Sequence, residues 1–323
     1  LSDLAATLEP GDWAELATDD LTTVLAEVQG IGATGSILPY SEDGVWDGLS
    51  GRFYFIGSDH IYDGTTSGPR FIAFDEEDNR WLVLPEPPWF SPGTMHGYDH
   101  SAVLEGRLYH MTLTVGDPLR EYDIASSAWS ARATFDEGNY NRYGALEPFP
   151  AMGGLVYVEG GGVYSWDRQG DQWTTLATSV AMGDYHNCGE YNPVHEVVLL
   201  GGGNDSGAIH LLDEHGTITE GTAAPWPLRV NQAIVTVDPL SGDFLILGGP
   251  GEFYTYDPTT DEWSLQPQGA PFFGTGQGPV ELTIAGPIDS YGVVLFVKHV
   301  DPGDTPAAEV WIYKHAPGPV SYT

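Results

Sequence analysis

The hydrophobic pattern of this chain is a series of short apolar runs cut off by turn residues. Runs over 51–57, 106–110, 154–158, 196–200 and 243–247 are each five to seven residues long and start or end at glycine or a carboxylate. That length, with no 3.6-residue stripe continuing past it, predicts buried β-strands and rules out long helices. Three of the runs lead into glycine clusters, at 160–162, 201–203 and 248–249. Glycines there would allow positive φ and close approach of neighbouring elements.

A repeat follows these runs. An aromatic, an Asp and then a Trp six residues later occur as Phe74-Asp75 to Trp81, Tyr122-Asp123 to Trp129, Trp166-Asp167 to Trp173 and Tyr256-Asp257 to Trp263. A fifth copy, Leu212-Asp213, has Thr219 where the Trp would stand. The aspartates step by 48, 44, 46 and 44 residues, the period of four-stranded propeller blades. The Asp is expected to turn the chain and the Trp to pack between blades.

The double glycine, the aromatic-Asp pair and the Trp resemble the kelch repeat over nearly the whole chain, although the first two copies lack the double glycine. The resemblance implies an all-β, six-bladed kelch-type β-propeller with one repeat per blade, and it implies no single activity. The sixth unit is the run 292–297 with Val310-Trp311-Ile312-Tyr313, after which no Trp-bearing outer strand follows. Residues 11–16, around Trp13, look like that missing strand, so the N- and C-terminal strands are expected to pair and close the ring. The alternative, a seventh blade in residues 17–45, would need more strand pattern than that stretch has. Residues 1–323 are read as one propeller domain.

Composition and charge then narrow the partners. With 46 Asp plus Glu against 11 Lys plus Arg, the formal net charge is -35. A polyanionic nucleic acid or an anionic membrane surface is a poor partner for such a chain. No segment approaches the roughly 20 apolar residues of a membrane helix. The acidity fits a secreted protein, extracellular or periplasmic, and the start at Leu1 fits either a removed signal peptide or a trimmed N-terminus. A single cysteine, Cys188, excludes intrachain disulfides and Cys-cluster metal sites, and is read as a buried filler. The run Asp75-Glu76-Glu77-Asp78 lacks the spacing of a calcium loop, and the glycine-rich 201–207 segment lacks the Lys-Ser/Thr of a phosphate loop. No metal and no cofactor is expected.

Candidate chemistry falls where inner strands begin, at the mouth of the central channel. Those starts read Tyr98-Asp99-His100, Asn141-Arg142-Tyr143, Tyr185-His186-Asn187 and Arg229-Val230-Asn231, with the first blade starting near Tyr40-Ser41 and the sixth within 277–281. His96 and Tyr140 lie beside them. Two of only nine arginines, Arg142 and Arg229, occupy these starts, and the loops leading in carry Trp89, Phe90, Phe135, Trp226, Phe272 and Phe273. Arginine forks with aromatic walls suit a sugar carrying a carboxylate. His100, Tyr143 and His186 are the candidate proton-transfer residues. Arg142, Arg229, Tyr98, Asn187, Asn231, Tyr185 and Trp226 are the candidate substrate contacts. The bland alternatives are interblade salt bridges for the arginines, channel hydrogen bonds for the histidines and hydrophobic plugs for the aromatics.

The rim residue types look like those of propeller polysaccharide lyases, which implies elimination across a uronic-acid glycosidic bond in an acidic polysaccharide or oligosaccharide. An arginine would offset the substrate carboxylate, and His or Tyr would move the protons. The alternatives are a noncatalytic glycan- or protein-binding propeller and, by resemblance to six-bladed kelch epimerases, a sugar epimerase. A copper radical oxidase is disfavoured, because no Cys–Tyr pair can be placed around Cys188.

Overall fold

Each Asp–Trp element folds as the outer hairpin of a four-stranded antiparallel sheet. The computed structural model describes residues 1–28, 36–58, 70–89, 96–136, 143–230, 232–248, 252–272, 282–301 and 307–316. Blade 1 contains strands Val45–Asp47, Arg52–Gly57, Arg70–Asp75 and Arg80–Val83, from the channel outwards. Blade 2 contains Ser101–Leu104, Arg107–His110, Pro118–Asp123 and Ala128–Thr134; blade 3, Ala145–Phe149, Gly154–Glu159, Gly162–Asp167 and Gln172–Ala177. Blade 4 contains Asn187–Asn192, Val197–Gly202, Ile209–Leu212 and Ile218–Glu220; blade 5, Ile234–Val237, Phe244–Leu247, Phe253–Asp257 and Glu262–Leu265. Blade 6 has Thr283–Ile288, Val293–Asp301 and Ala307–Tyr313, and its outermost strand is Trp13–Glu15 from the other end of the chain. Trp13 stands opposite Tyr313 and Glu15 opposite Trp311, so the ring closes by antiparallel pairing of the terminal strands.

The repeated aspartates cap the outer hairpin turns. Asp123 accepts from the Ser126 N–H, Asp167 from those of Gln169 and Gly170, and Asp257 from that of Thr259. The residue just before the returning strand is left-handed in each of these turns, at Asn79, Ser127, Asp171 and Asp261. The residue before the Asp then faces the Trp directly across the strands: Phe74 with Trp81, Tyr122 with Trp129, Trp166 with Trp173, Tyr256 with Trp263. The fourth blade corrects the expected alignment. Its turn is one residue shorter, so Leu212 faces Ile218, and Thr219 lies opposite Leu211.

Hydrophobic cores lie between blades. The clusters join blade 1 to 2 through Tyr54, Phe71, Leu108 and Tyr122, and blade 2 to 3 through Ala102, Tyr109, Leu146 and Trp166. The largest lies where blade 6 meets blade 1. There the helix Leu21–Glu27 lays Leu21, Val24 and Leu25 over the junction. Residues 17–28 therefore cover the closure, and no seventh blade is present among the described residues. No described helix is long and apolar enough to cross a membrane.

Three of the tryptophans also tie their blade to the end of the preceding one. The Trp81 Nε1–H donates to Thr18 Oγ1 at 3.1 Å, that of Trp173 to the Ala133 carbonyl at 3.3 Å, and that of Trp263 to the Thr222 carbonyl at 2.8 Å. Trp81 is fully buried and its tether spans the closure itself. Trp81→Ala should therefore lower stability by about 3–5 kcal/mol, as for other buried Trp truncations. Urea unfolding followed by circular dichroism measures it, and a loss below about 1 kcal/mol would show that the ring closes without this contact.

Candidate functional site

Six inner strands begin around one mouth of the axial channel, and four of the residues there are twisted out of ordinary strand geometry. Tyr40, Tyr98, His186 and Leu282 have φ of 53°, 46°, 61° and 59°. Left-handed non-glycine residues of this kind cost roughly 1–3 kcal/mol each and persist only where surrounding contacts hold them. Tyr98 is held by its backbone N–H to the Tyr40 carbonyl at 2.9 Å, and His186 by its carbonyl accepting from the Val230 N–H.

The twist aims an aromatic and imidazole cluster into the mouth. The His186 ring lies 5.5 Å from Tyr40 and 5.7 Å from Tyr98, both stacked, and 4.1 Å edge-on from Tyr185. Tyr143 stacks obliquely on Tyr185 at 3.8 Å, and His96 sits 4.4 Å from Tyr40. Tyr98 also lies edge-on to Tyr143 at 5.6 Å, so the three phenols of Tyr98, Tyr143 and Tyr185 are grouped. Leu113 and Val230 form the apolar floor under these rings.

Polar contacts define what the cluster can do. His186 Nδ1 is 3.0 Å from Asn204 Oδ1. With the amide oxygen accepting, Nδ1 carries the hydrogen and Nε2 the lone pair. Burial, reinforced by the charge of Arg229, lowers the His186 pKa to about 4, so the imidazole is neutral at ordinary pH. Burial raises Tyr98 and Tyr185 well above the usual phenol value, and they stay protonated. Among the described residues, six arginines make an ion pair with a carboxylate. Arg229 makes none among the described residues, and its Nε is buried without a hydrogen-bond partner there.

Of the residues singled out in the sequence, Tyr98, Tyr143, Tyr185, His186 and Arg229 lie near one another, with Tyr40 and His96 beside them. Three expected members are placed elsewhere. His100 is 1 % exposed and lies behind Tyr98, about 6 Å from the rings of His110 and Tyr157 between blades 2 and 3. The left-handed turn at Tyr98 breaks the strand alternation that would have put both side chains on the channel side. Asn187 is fully buried: its amide donates to the Gly183 carbonyl, and its oxygen accepts from the Gly160 N–H, so it staples loops rather than facing the mouth. Trp226 packs 5.1 Å from Tyr254 and against Gly248, where an added Cβ would come within 2.6 Å of its ring. Arg142, Asn231, Phe90, Phe273, Tyr140, Asn141 and the sixth-blade start at 277–281 lie outside the described residues.

Below the tyrosines, the channel holds carboxylates that the sequence reading did not single out as a group: Glu42, Asp43, Asp99, Glu147 and Glu190 influence one another's ionisation. Some bridge neighbouring inner strands. Asp99 Oδ2 accepts from the Gly189 N–H and Glu147 Oε2 from the Tyr191 N–H, both at 2.9 Å. Gly189 is required there, since a Cβ would lie 2.9 Å from that of Ala145. The available signal was a Glu inside each of two otherwise buried inner strands, 145–149 and 187–192.

No protein-family model and no curated protein matches the chain. Solved structures do match in fold. A fungal alcohol oxidase of the AA5 family, solved in complex with copper, aligns at TM-score 0.52 and 10% identity over 88% of this chain and 77% of its own. A protein of unknown function from Bacteroides thetaiotaomicron aligns at TM-score 0.56 and 14% identity, covering 95% of this chain and 74% of its own. YjhT aligns at TM-score 0.57 and 11% identity, covering 85% and 98%. At these identities the likeness is one of fold, and the six-bladed propeller is what it supports.

The buried carboxylates make a pH prediction. Burial is the main cause that raises Asp99 to about 7, against 3.8 for an exposed aspartate. The native state therefore holds a proton that the unfolded chain has released. This contribution is fully present below about pH 4 and is lost as pH rises through about 7. Asp99→Asn, which keeps an oxygen for Gly189, should raise the melting temperature at pH 8 and leave it unchanged near pH 4. Thermal unfolding across that range checks this, and a uniform offset at every pH would mean that ionisation of Asp99 plays no part.

Proposed function

We propose that the mouth binds an acidic sugar and that the protein is a secreted, kelch-type carbohydrate-active propeller, acting as a lyase on uronic-acid-containing chains. The observation that carries this reading is Arg229. In a chain with four times as many carboxylates as cations, it has no carboxylate partner among the described residues, yet it is close enough to His186 to depress its basicity. A half-buried guanidinium left in that state is matched by an anion brought from outside, and a carboxylate fits its fork. The net charge of -35 opposes a polyanion only over about a Debye length, ~8 Å at physiological ionic strength, so the local cation governs the last step of docking.

The same arrangement supports elimination. The uronate carboxylate on Arg229 would acidify the proton on the adjoining ring carbon. His186 Nε2 would take that proton as the carbon–carbon double bond forms and the glycosidic carbon–oxygen bond breaks. Tyr185, kept protonated by burial, would give its hydrogen to the leaving oxygen. Proton return from the imidazolium to the phenolate restores both groups. Binding also tunes the base: a carboxylate on Arg229 cancels the charge that lowers His186, so the imidazole becomes more basic when substrate is present. The ring contacts of Tyr185 with Tyr143 and His186 fix the acid in place.

The purified protein incubated with alginate, pectin, ulvan and glycosaminoglycans should generate the ~235 nm absorbance of an unsaturated uronate, because elimination leaves a double bond conjugated to the carboxylate. Arg229→Ala should reduce kcat/KM by about 10²-fold or more, and His186→Gln should remove the acid limb expected near pH 4 in the parent profile. A flat trace for every substrate, with glycan binding that Arg229→Ala weakens, would convert the reading to a noncatalytic glycan-binding propeller. A flat trace without binding would remove acidic sugars altogether.

A further inference from the structure

A cavity of about 570 Å³ lies on the flank of the ring, beside the junction of blades 1 and 2. Its wall includes Trp89, Thr114, Asp117, Arg120, Trp129 and Ser130. Trp89 belongs to the segment leading from blade 1 to the start of blade 2, and Thr114 and Asp117 to the loop between the second and third strands of blade 2. Antiparallel strands alternate in direction, so that loop lies at the same end of the blade as the start of its inner strand. The cavity therefore belongs to the mouth side of the propeller, outside the channel.

Two indoles form a fixed corner there. Trp89 and Trp129 meet at 84° with ring centroids 5.4 Å apart. Trp129 is braced by Tyr122 at 5.0 Å and Phe71 at 5.7 Å. Trp89 is stacked on His110 at 5.4 Å, and the guanidinium of Arg120 lies 5.6 Å from its centroid. His110 and Arg120 stand opposite each other on neighbouring strands, so both project from the same face of blade 2 and Trp89 spans the pair. Both tryptophans are half-buried, anchored in the interblade core while bordering the cavity. Rings held in this way lose little freedom when a ligand packs on them.

Arg120 supplies the charge, and its neighbours match it poorly. Its ion-pair partner, Asp117, is 3.9 Å away, beyond hydrogen-bonding distance, and that carboxylate accepts from the Thr112 hydroxyl at 2.9 Å. The Arg120 Nε has no hydrogen-bond partner among the described residues. Burial, offset in part by Asp117, holds the guanidinium below its ordinary pKa. The adjacent Glu121 points to the other face of the strand, where it takes both ends of the Arg132 fork at 2.8 Å. Asp117 is the one carboxylate among the described residues of the cavity wall. An anionic group entering the cavity would thus give Arg120 a closer partner than it has.

An indole corner, a cation and the hydroxyls of Thr114 and Ser130 complement a ring that has an apolar face, a carboxylate and hydroxyl groups. We propose that this cavity is an accessory acidic-sugar site, in which a pyranose packs in the Trp89–Trp129 corner and its carboxylate pairs with Arg120. The ligand class rests on the sugar reading of the mouth, but the site shares no residue with it. A polysaccharide held on the flank keeps its other segments at high local concentration near the mouth.

The probes are hexasaccharides of alginate and of pectin, titrated by calorimetry into the full chain carrying Arg229→Ala and His186→Gln, so that the mouth lacks its cation and base. One saturable site per chain should remain. Adding Arg120→Gln should weaken it about ten-fold or more, as expected for loss of a charge-assisted pair, and Trp89→Ala should weaken it as well. Arg120→Gln should melt close to its parent, because the ion pair it removes is long and partly exposed. If Trp89→Ala melts lower, Arg120→Gln alone decides. Residual binding that Arg120→Gln removes, with no turnover in the unmutated chain, would uphold this site while removing the lyase. Binding confined to chains with an intact mouth and insensitive to Arg120→Gln would overturn the accessory site and leave the mouth reading standing. Equal binding of a neutral hexasaccharide, unaffected by Arg120→Gln, would overturn the role given to the carboxylate. A proline-rich peptide that binds where no saccharide does, and is lost on Trp89→Ala, would overturn the proposal in favour of a protein partner.

Discussion

Convergence of six strands on one axis is the constraint that organises this molecule. Four-stranded sheets can fan apart at their outer edges, but their innermost strands approach one another closely, and their backbone groups face a narrow space. Small residues answer part of the problem, as at Gly189, where blade 4 comes against Ala145 of blade 3. Carboxylates answer another part: Asp99 and Glu147 reach N–H groups of blade 4 and supply the hydrogen bonds that a continuous sheet would have made. The answer has a cost, because several acids are then desolvated together and each raises the others' affinity for protons. Both ends of the channel inherit their character from this crowding.

The outer parts of the blades were legible in the sequence because they solve one problem repeatedly with the same residues. A turn must reverse the third strand into the fourth, and an Asp side chain accepting the turn's N–H groups does it in successive blades. The facing aromatic–Trp pair then fills the space to the next blade. The repeat is visible only where that solution is kept: the one-residue-shorter turn after Asp213 moved the pair to Ile218, and a fixed six-residue spacing pointed at Thr219. Closure was legible for a related reason, since Trp13 supplied the outer strand that blade 6 lacked.

The mouth was legible only in part, because inner-strand starts do not repeat. Position in the blade identified Tyr98, Tyr143, Tyr185, His186 and Arg229, but the direction of a side chain there depends on single backbone torsions. A left-handed Tyr98 separates it from His100, and a left-handed His186 separates it from Asn187. Neither torsion is encoded by residue type, since Tyr and His both prefer negative φ. Asn204, which holds the imidazole tautomer, comes from the glycine-rich segment after the second strand of blade 4 and is adjacent to His186 only in the folded ring.

Opposite chemical characters at the two ends of one channel follow from which side chains relieve the crowding. At the strand starts left-handed residues aim uncharged rings into the mouth, beside the guanidinium of Arg229. At the strand ends carboxylates fill it, and burial with mutual repulsion pushes Asp43, Glu147 and Glu190 toward the protonated form. Net charge therefore says little about either end. A sum of -35 over the chain describes how the protein repels its copies, whereas the field within a few ångströms is set by the groups at each end of the channel. The two ends can differ in this way because each is built from opposite ends of the same six strands.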